Sequence, residues 1–401
     1  MTETHDVDVC IAGGGPAGML LGLLLARRGI QTLVLERHDD FEREYRGEVL
    51  MPRFTQALRQ VGLFDFLETY PHTKLTRGEI VYKDRILTSF DFQSLCPEAP
   101  FAIWMPQPTM LNAFHDKAKT FPSFELWFGA SAQELVEDND TITGLVVRRQ
   151  QQETRVRARV TVGADGRTSR IRRLAHLENE YEHHDFDVLW FSFPRPDDRD
   201  DAVRFFLSSK QFFLVAPKHP DLIQVGMIVP VGEFSRYRDQ GLEAMRRDLL
   251  LGPPIAHSFA RGLTDFKAFF PLQARISLAS QWDRDVLLLI CDSAHTFSPA
   301  GSVGVSVAVA TAIVAADVIA GALEDNDVTA TRLGRVQRLR EQDVRQIHKL
   351  QQRLTGTLVP TGFKRRLLPF LIPLMSRLGL VRGAQRGLAV AAEPLPVGDG
   401  Q

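Results

Sequence analysis

The sequence predicts an α/β protein on three observations: a strand, glycine turn, helix, strand succession at its start, a strand-rich middle, and a helical pattern from about Val305 onward. Residues 7–12 are short and apolar, 17–28 repeat with a helical period, and 31–36 are again strand-like, so the opening unit is βαβ and begins a parallel sheet. Amphipathic helices are expected over 53–67 and 109–120, with an antiparallel strand pair between them over 78–92. Strands at 126–128, 142–148 and 156–162 deliver the chain to a Gly-Ala-Asp-Gly turn. Further strands at 187–193, 203–207, 212–215 and 223–230 predict a second, mixed or antiparallel sheet. A helix near 242–251 and a strand at 285–290 follow.

Composition narrows the class. A formal net charge of -1 removes overall basicity as an argument for nucleic acid, yet the charge is uneven. Between Val344 and Glu393 there is no acidic residue, while Arg345, Lys349, Arg353, Lys364, Arg365, Arg366, Arg377, Arg382 and Arg386 all fall inside. Cys10, Cys96 and Cys291 have neither the spacing of a metal site nor the density of a disulfide scaffold, so a reducing compartment, the cytoplasm, is expected. No uninterrupted stretch reads as a membrane-spanning helix, and there are no internal repeats.

The first chemical motif is Gly13-Gly14-Gly15-Pro16-Ala17-Gly18, a GxGxxG between strand and helix. Gly13 permits the tight turn, Gly15 lets a pyrophosphate approach the backbone, and Gly18 allows the helix to pack closely on the strand. Pro16 and Ala17 open the helix, whose free amides face the phosphates. Glu36, followed by Arg37, ends the second strand at the distance that suits the ribose hydroxyls of an adenosine. This motif alone leaves NAD and FAD both open.

Two later motifs favour flavin. Residues 163–172 contain D-G-x-x-S-x-x-R, with Asp165 and Gly166 at its head, and residues 291–304 run Cys291-Asp292-Ser293-Ala294-His295 to Pro299-Ala300-Gly301-Ser302-Val303-Gly304. In this ordered set the chain resembles the single-component FAD-dependent aromatic hydroxylases, the p-hydroxybenzoate hydroxylase fold, and within them the branch related to ubiquinone-biosynthesis hydroxylases. The resemblance implies a discontinuous Rossmann-type FAD-binding domain over 1–75, 101–180 and 276–330. It also implies a mixed or antiparallel-sheet substrate domain over 76–100 and 181–275, and a helical C-terminal region over 331–401. It gives Asp292 a hydrogen bond from the ribitol chain and sets Pro299, Gly301 and Gly304 beside the isoalloxazine. Asp165 and Gly166 would serve flavin and pyridine nucleotide, and Arg46 and Gln107 the flavin or its phosphates.

The implied activity is that of a monooxygenase. NADPH or NADH would reduce the FAD, O2 would add at C4a, and the hydroperoxide would hydroxylate or epoxidise a small apolar substrate, aromatic, polyketide-like or prenylated. Halogenase and isoprenoid reductase share the fold, although the W-x-W-x-I-P signature of the former is absent and His295 departs from the motif of the latter. A catalytically weak FAD-binding protein is a reading of another class. It rests on Cys291 and Ser302, where glycines are usual, and on Ser306, where an asparagine is usual; Thr311, where an aspartate is common, is a further departure. His295 is read as structural, and Tyr181-Glu182-His183-His184-Asp185 as a solvated linker in place of a metal site. Trp190, Phe205, Phe213, Met227 and Phe269 are the candidate pocket walls. The basic C-terminal segment is expected to pack over the substrate end, with peripheral contact to an anionic membrane as the second reading.

Overall fold

The computed structural model describes residues 4–42, 49–83, 85–139, 141–196, 201–208, 211–358, 363–391 and 394–396. Five strands of the first sheet run parallel: Leu287–Leu289, Gln152–Gly163, Thr4–Ala12, Thr32–Leu35 and Phe124–Trp127, in that spatial order. The four residues of Thr32–Leu35 are all buried, as a strand covered on both faces requires. Helix Pro16–Arg27 packs on one face together with Gly304–Glu324, and their apolar side chains share a single core. Gly22 keeps the first of these close to the sheet, since a Cβ there would lie 2.7 Å from Val34. Two antiparallel strands, Ala130–Asp138 and Thr141–Arg149, extend the sheet; the first is unpredicted because its exposed edge alternates weakly.

The second sheet has the order His295–Thr296, Phe270–Ala279, Asn179–Pro194, Leu222–Val229, Phe212–Lys218, Ala202–Leu207, Arg77–Tyr82, Arg85–Asp91. All neighbours are antiparallel except Ala202–Leu207 and Arg77–Tyr82. The expected linker at 181–185 is instead part of its longest strand, paired with Phe270–Ala279. Polar composition misled there, because the strand is half-exposed and His184 bonds Asp187 at 2.8 Å. The helix expected over 53–67 is two, Pro52–Gln60 and Phe64–Glu68. Gly62 breaks it at φ +67°, where the Gly62 and Leu63 amides turn back to the Arg59 and Leu58 carbonyls.

Helix Gly304–Glu324 is long and apolar enough by length and composition to cross a bilayer, which corrects the expectation that no stretch would be. Most of it is buried inside the protein, where it is the central core helix. Helix Arg335–Leu358 then returns across the molecule. Its His348 is buried, donating from Nε2 to the Thr296 carbonyl (3.0 Å) and accepting from the Tyr181 hydroxyl at Nδ1 (2.8 Å). Burial, helped by the Arg345 charge, pushes the His348 pKa down to about 4, and burial holds fully enclosed His295 well below the usual histidine range.

Both imidazoles bind protons more readily in the unfolded chain. The stability they confer is therefore complete above about pH 6.5 and is lost as the pH falls toward 4, with about 3 kcal/mol attached to His348. We expect His348→Gln, which cannot titrate, to flatten the dependence of the melting midpoint between pH 6.5 and 4. An unchanged slope would show that His348 does not carry it.

Candidate active site

Three adjacent parallel strands end in register, Ala12 beside Gly163 and Gly163 beside Leu289, and each is followed by one of the three motifs. All three turns therefore sit at the carboxyl edge of the sheet, where open α/β sheets bind ligands. Gly13 adopts φ +117°, and a Cβ on it would lie 2.2 Å from the Ala164 carbonyl oxygen. Gly18 is equally constrained, 1.9 Å from the Gly13 carbonyl oxygen. At Gly15, by contrast, a Cβ would meet nothing within 4 Å. The helices that follow the first and third turns, Pro16–Arg27 and Gly304–Glu324, both begin without a side-chain cap, leaving first-turn amides for an anionic ligand.

Glu36 is buried at the end of its strand, Oε2 accepting from the Gly14 amide (3.1 Å) and Oε1 from the His38 amide (3.0 Å). Arg37 is exposed beside it, its Nε 3.2 Å from His38 Nε2. Gln107 is buried at the start of helix Gln107–Ala118, after strand Ala102–Trp104. Arg46 lies outside the described residues.

The second motif works as a latch. Asp165 Oδ1 accepts from the hydroxyls of Ser169 and Ser293 (3.0 Å to the latter), and Oδ2 accepts from the amides of Arg170 (2.6 Å) and Ile171 (3.1 Å). Arg172 Nη1 donates to the Ser293 carbonyl at 2.7 Å, and the Gly166 amide donates to the Ser293 hydroxyl at 3.1 Å. The Asp165 carboxylate is thus committed to the protein itself, tying the second turn to the third. Asp292 is left half-exposed with its Oδ2 3.5 Å from Arg167 Nε, and Arg167 is fixed in turn to the Gln273 carbonyl at 2.9 Å. Ser293 carries no signal of its own in the sequence, whereas Ser169 and Arg172 belong to D-G-x-x-S-x-x-R.

The third turn is shaped from behind. Gly301 has φ +81°, and Cys291 (φ +56°) and Ser302 (φ +52°) also occupy the left-handed region, which explains why glycine is usual at both. Gln351, fully buried on helix Arg335–Leu358, donates to the carbonyls of Ser298 (2.8 Å) and Ala300 (2.7 Å) and accepts from the Ser298 amide (3.1 Å). Nothing in the sequence marks this glutamine, whose neighbours form an ordinary polar helix. His295 is fully buried, packed on Trp282 and Phe297, with Nε2 3.2 Å from the Thr311 hydroxyl. That setting is structural. The buried Ser306 hydroxyl, at the third residue of the following helix, meets no hydrogen-bond partner among the described residues.

Residues 299–302 form one wall of a cleft whose other walls come from the second sheet and its neighbours: Phe90, Phe92, Phe186, Trp190, Phe205 and Phe212 supply its aromatic surface. None of the described residues lining it is ionisable, and Ser302 brings its hydroxyl. Trp190 and Phe205 are walls as expected, but Phe213, Met227 and Phe269 pack on the opposite face of the sheet with the helices over 233–262. The pleat decides this, since Phe212, Leu214, Gly226 and Ile228 face the cleft and Phe213 and Met227, which alternate with them, cannot. Gly226 leaves room for Trp190, whose ring would lie 2.7 Å from a Cβ there.

An open glycine at position 15, two uncapped helices, an acid at the adenosine position and, beside the third turn, a buried hydroxyl without a partner among the described residues together fit FAD. Fold and site define a flavoprotein built to bind FAD. Residues 6–340 match the family described as FAD binding domain, and the chain belongs to that family. It is 29% identical over 393 residues to 6-methylpretetramide 4-monooxygenase of Streptomyces rimosus, covering 97% of this chain and 94% of that one. Among solved structures it is similar to p-nitrophenol 4-monooxygenase of Pseudomonas putida, with a TM-score of 0.81, 18% identity and coverage of 98% and 100% of the two chains. Similarity to the anhydrotetracycline hydroxylase of Streptomyces rimosus has a TM-score of 0.71, 21% identity and coverage of 96% and 75%.

The two glycine environments separate folding from binding. Gly15→Ala is expected to leave the melting midpoint of the FAD-free protein unchanged while weakening FAD binding roughly tenfold or more, whereas Gly18→Ala should prevent stable folding. Equal losses of stability in the two variants would refute this assignment. Replacing the left-handed Cys291 by glycine should relieve strain and raise stability by about 1 kcal/mol, read by denaturant titration.

Proposed function

We propose that the chain hydroxylates a planar, polycyclic aromatic compound of the polyketide type, with NAD(P)H as reductant and O2 as oxidant. The balance is substrate C–H, O2, NAD(P)H and a proton giving C–OH, water and NAD(P)+. FAD, when bound, would supply the redox chemistry, taking up the reducing equivalents of NAD(P)H and activating oxygen. The observation that carries the reading is the aromatic cleft walled on one side by the turn over 299–302.

The residues do the rest. Gly301, at φ +81°, shapes the turn that walls the cleft, and the uncapped start of Gly304–Glu324 favours negative charge on a group beside it. Asp292, oriented by Arg167, would accept from a ribitol hydroxyl of FAD. Trp190, Phe186 and Phe212 hold the plane of the substrate and keep water from the reacting face. With no ionisable group among the described lining residues, the substrate must bring its own electron density, as an acidic phenol or enol does. The substrate class also draws on the match with the 6-methylpretetramide enzyme, which runs along nearly the whole of both chains.

The test is NADPH and NADH oxidation by the FAD-loaded protein, with tetracyclic polyphenols set against single-ring phenols, and labelled O2 followed into product. Label should enter the polycyclic product; oxidation that yields only peroxide with every compound would overturn the proposal. Trp190→Ala should raise KM for the polycyclic substrate roughly three- to tenfold, the range set by one aromatic stacking contact.

A further inference from the structure

Helix Phe363–Arg377 takes no part in the chemistry above and has two apolar faces. One packs on the second sheet: Leu368 and Ile372 share a buried cluster with Leu207 and Phe212, and the Ser376 and Thr88 hydroxyls are 2.7 Å apart. The other is left to solvent. Leu367, Phe370, Leu371, Leu374 and Leu378 recur at the three- and four-residue spacing that makes one helical row, with Phe370 76% and Leu378 66% exposed. Leu380, at the start of helix Leu380–Ala389, continues the row and is 56% exposed. A contiguous row of exposed large apolar side chains marks an interaction surface.

Charge selects what covers it. Arg377, Arg382 and Arg386 are exposed around this row, and the sequence between Val344 and Glu393 contains nine basic residues and no acidic one. A second copy docked about a two-fold axis would bring these like charges together. An anionic bilayer meets both features, because apolar side chains enter the acyl boundary while guanidinium groups stay among the phosphates. The helix has 15 residues, roughly 22 Å at the α-helical rise, against the roughly 30 Å of a bilayer core. The chain then bends by 81° into the next helix. Such a pair lies along a membrane surface and does not cross it. We propose that the outward face of residues 367–386 is a docking surface for an anionic phospholipid bilayer.

Flotation of the full-length, FAD-loaded protein tests this, with vesicles of phosphatidylcholine alone and of phosphatidylcholine mixed with phosphatidylglycerol. The protein should float with the anionic vesicles and roughly tenfold less with the neutral ones. Phe370→Asp combined with Leu374→Asp should abolish flotation, and Arg377→Glu combined with Arg386→Glu should weaken it roughly tenfold or more. Because the replaced side chains are exposed, both variants should keep the melting midpoint and flavin fluorescence of the unmodified protein. Absence of flotation, equal flotation with neutral vesicles, or a dimer that the Phe370 and Leu374 double variant dissolves would each overturn the proposal.

Discussion

Everything at the site depends on the contact between the first turn and the second. Gly13 lies so close to the Ala164 carbonyl that no side chain fits between them, and this closeness follows from parallel strands that end level with one another. Parallel pairing in register turns three motifs far apart in sequence into one surface. The hydrogen bonds from Ser293 to Asp165, and from Arg172 to Ser293, then lock the second turn to the third. A carboxylate that accepts several hydrogen bonds from the protein has a fixed position, so the Asp165 side chain holds the backbone in place for a ligand.

The cleft follows from a different constraint. A strand offers alternate residues to opposite faces, and the second sheet uses one face for the cleft and the other to hold the helices over 233–262. The aromatic residues of 186–228 are therefore divided by parity. Gly226 adds a second layer of control, because its missing side chain is the space in which Trp190 lies.

The C-terminal helices reach the same turn from outside the Rossmann-type core. His348 and Gln351, one helical turn apart, hold the Thr296, Ser298 and Ala300 backbone, and Leu388 lies against Gly301, 2.7 Å from the position of a Cβ. The geometry of the third turn is thus set jointly by its own left-handed residues and by a helix some 50 residues later in the chain. This offsets the strain that Cys291 and Ser302 introduce where glycine would be relaxed.

What the sequence determined by itself was local in kind. The βαβ opening, the glycines at positions 13, 15 and 18, the acid at 36, the motif heads at Asp165 and Asp292, and most strands were legible, because turn chemistry and periodicity act within a few residues. Tertiary structure alone decided which aromatic residues face the cleft, that residues 181–184 form a strand, that the Asp165 carboxylate turns inward, and that Gln351 and His348 brace the third turn. Each of these is set by a partner distant in sequence. Strand parity, hydrogen-bond pairing and burial are properties of that pairing, and no window of neighbouring residues contains them.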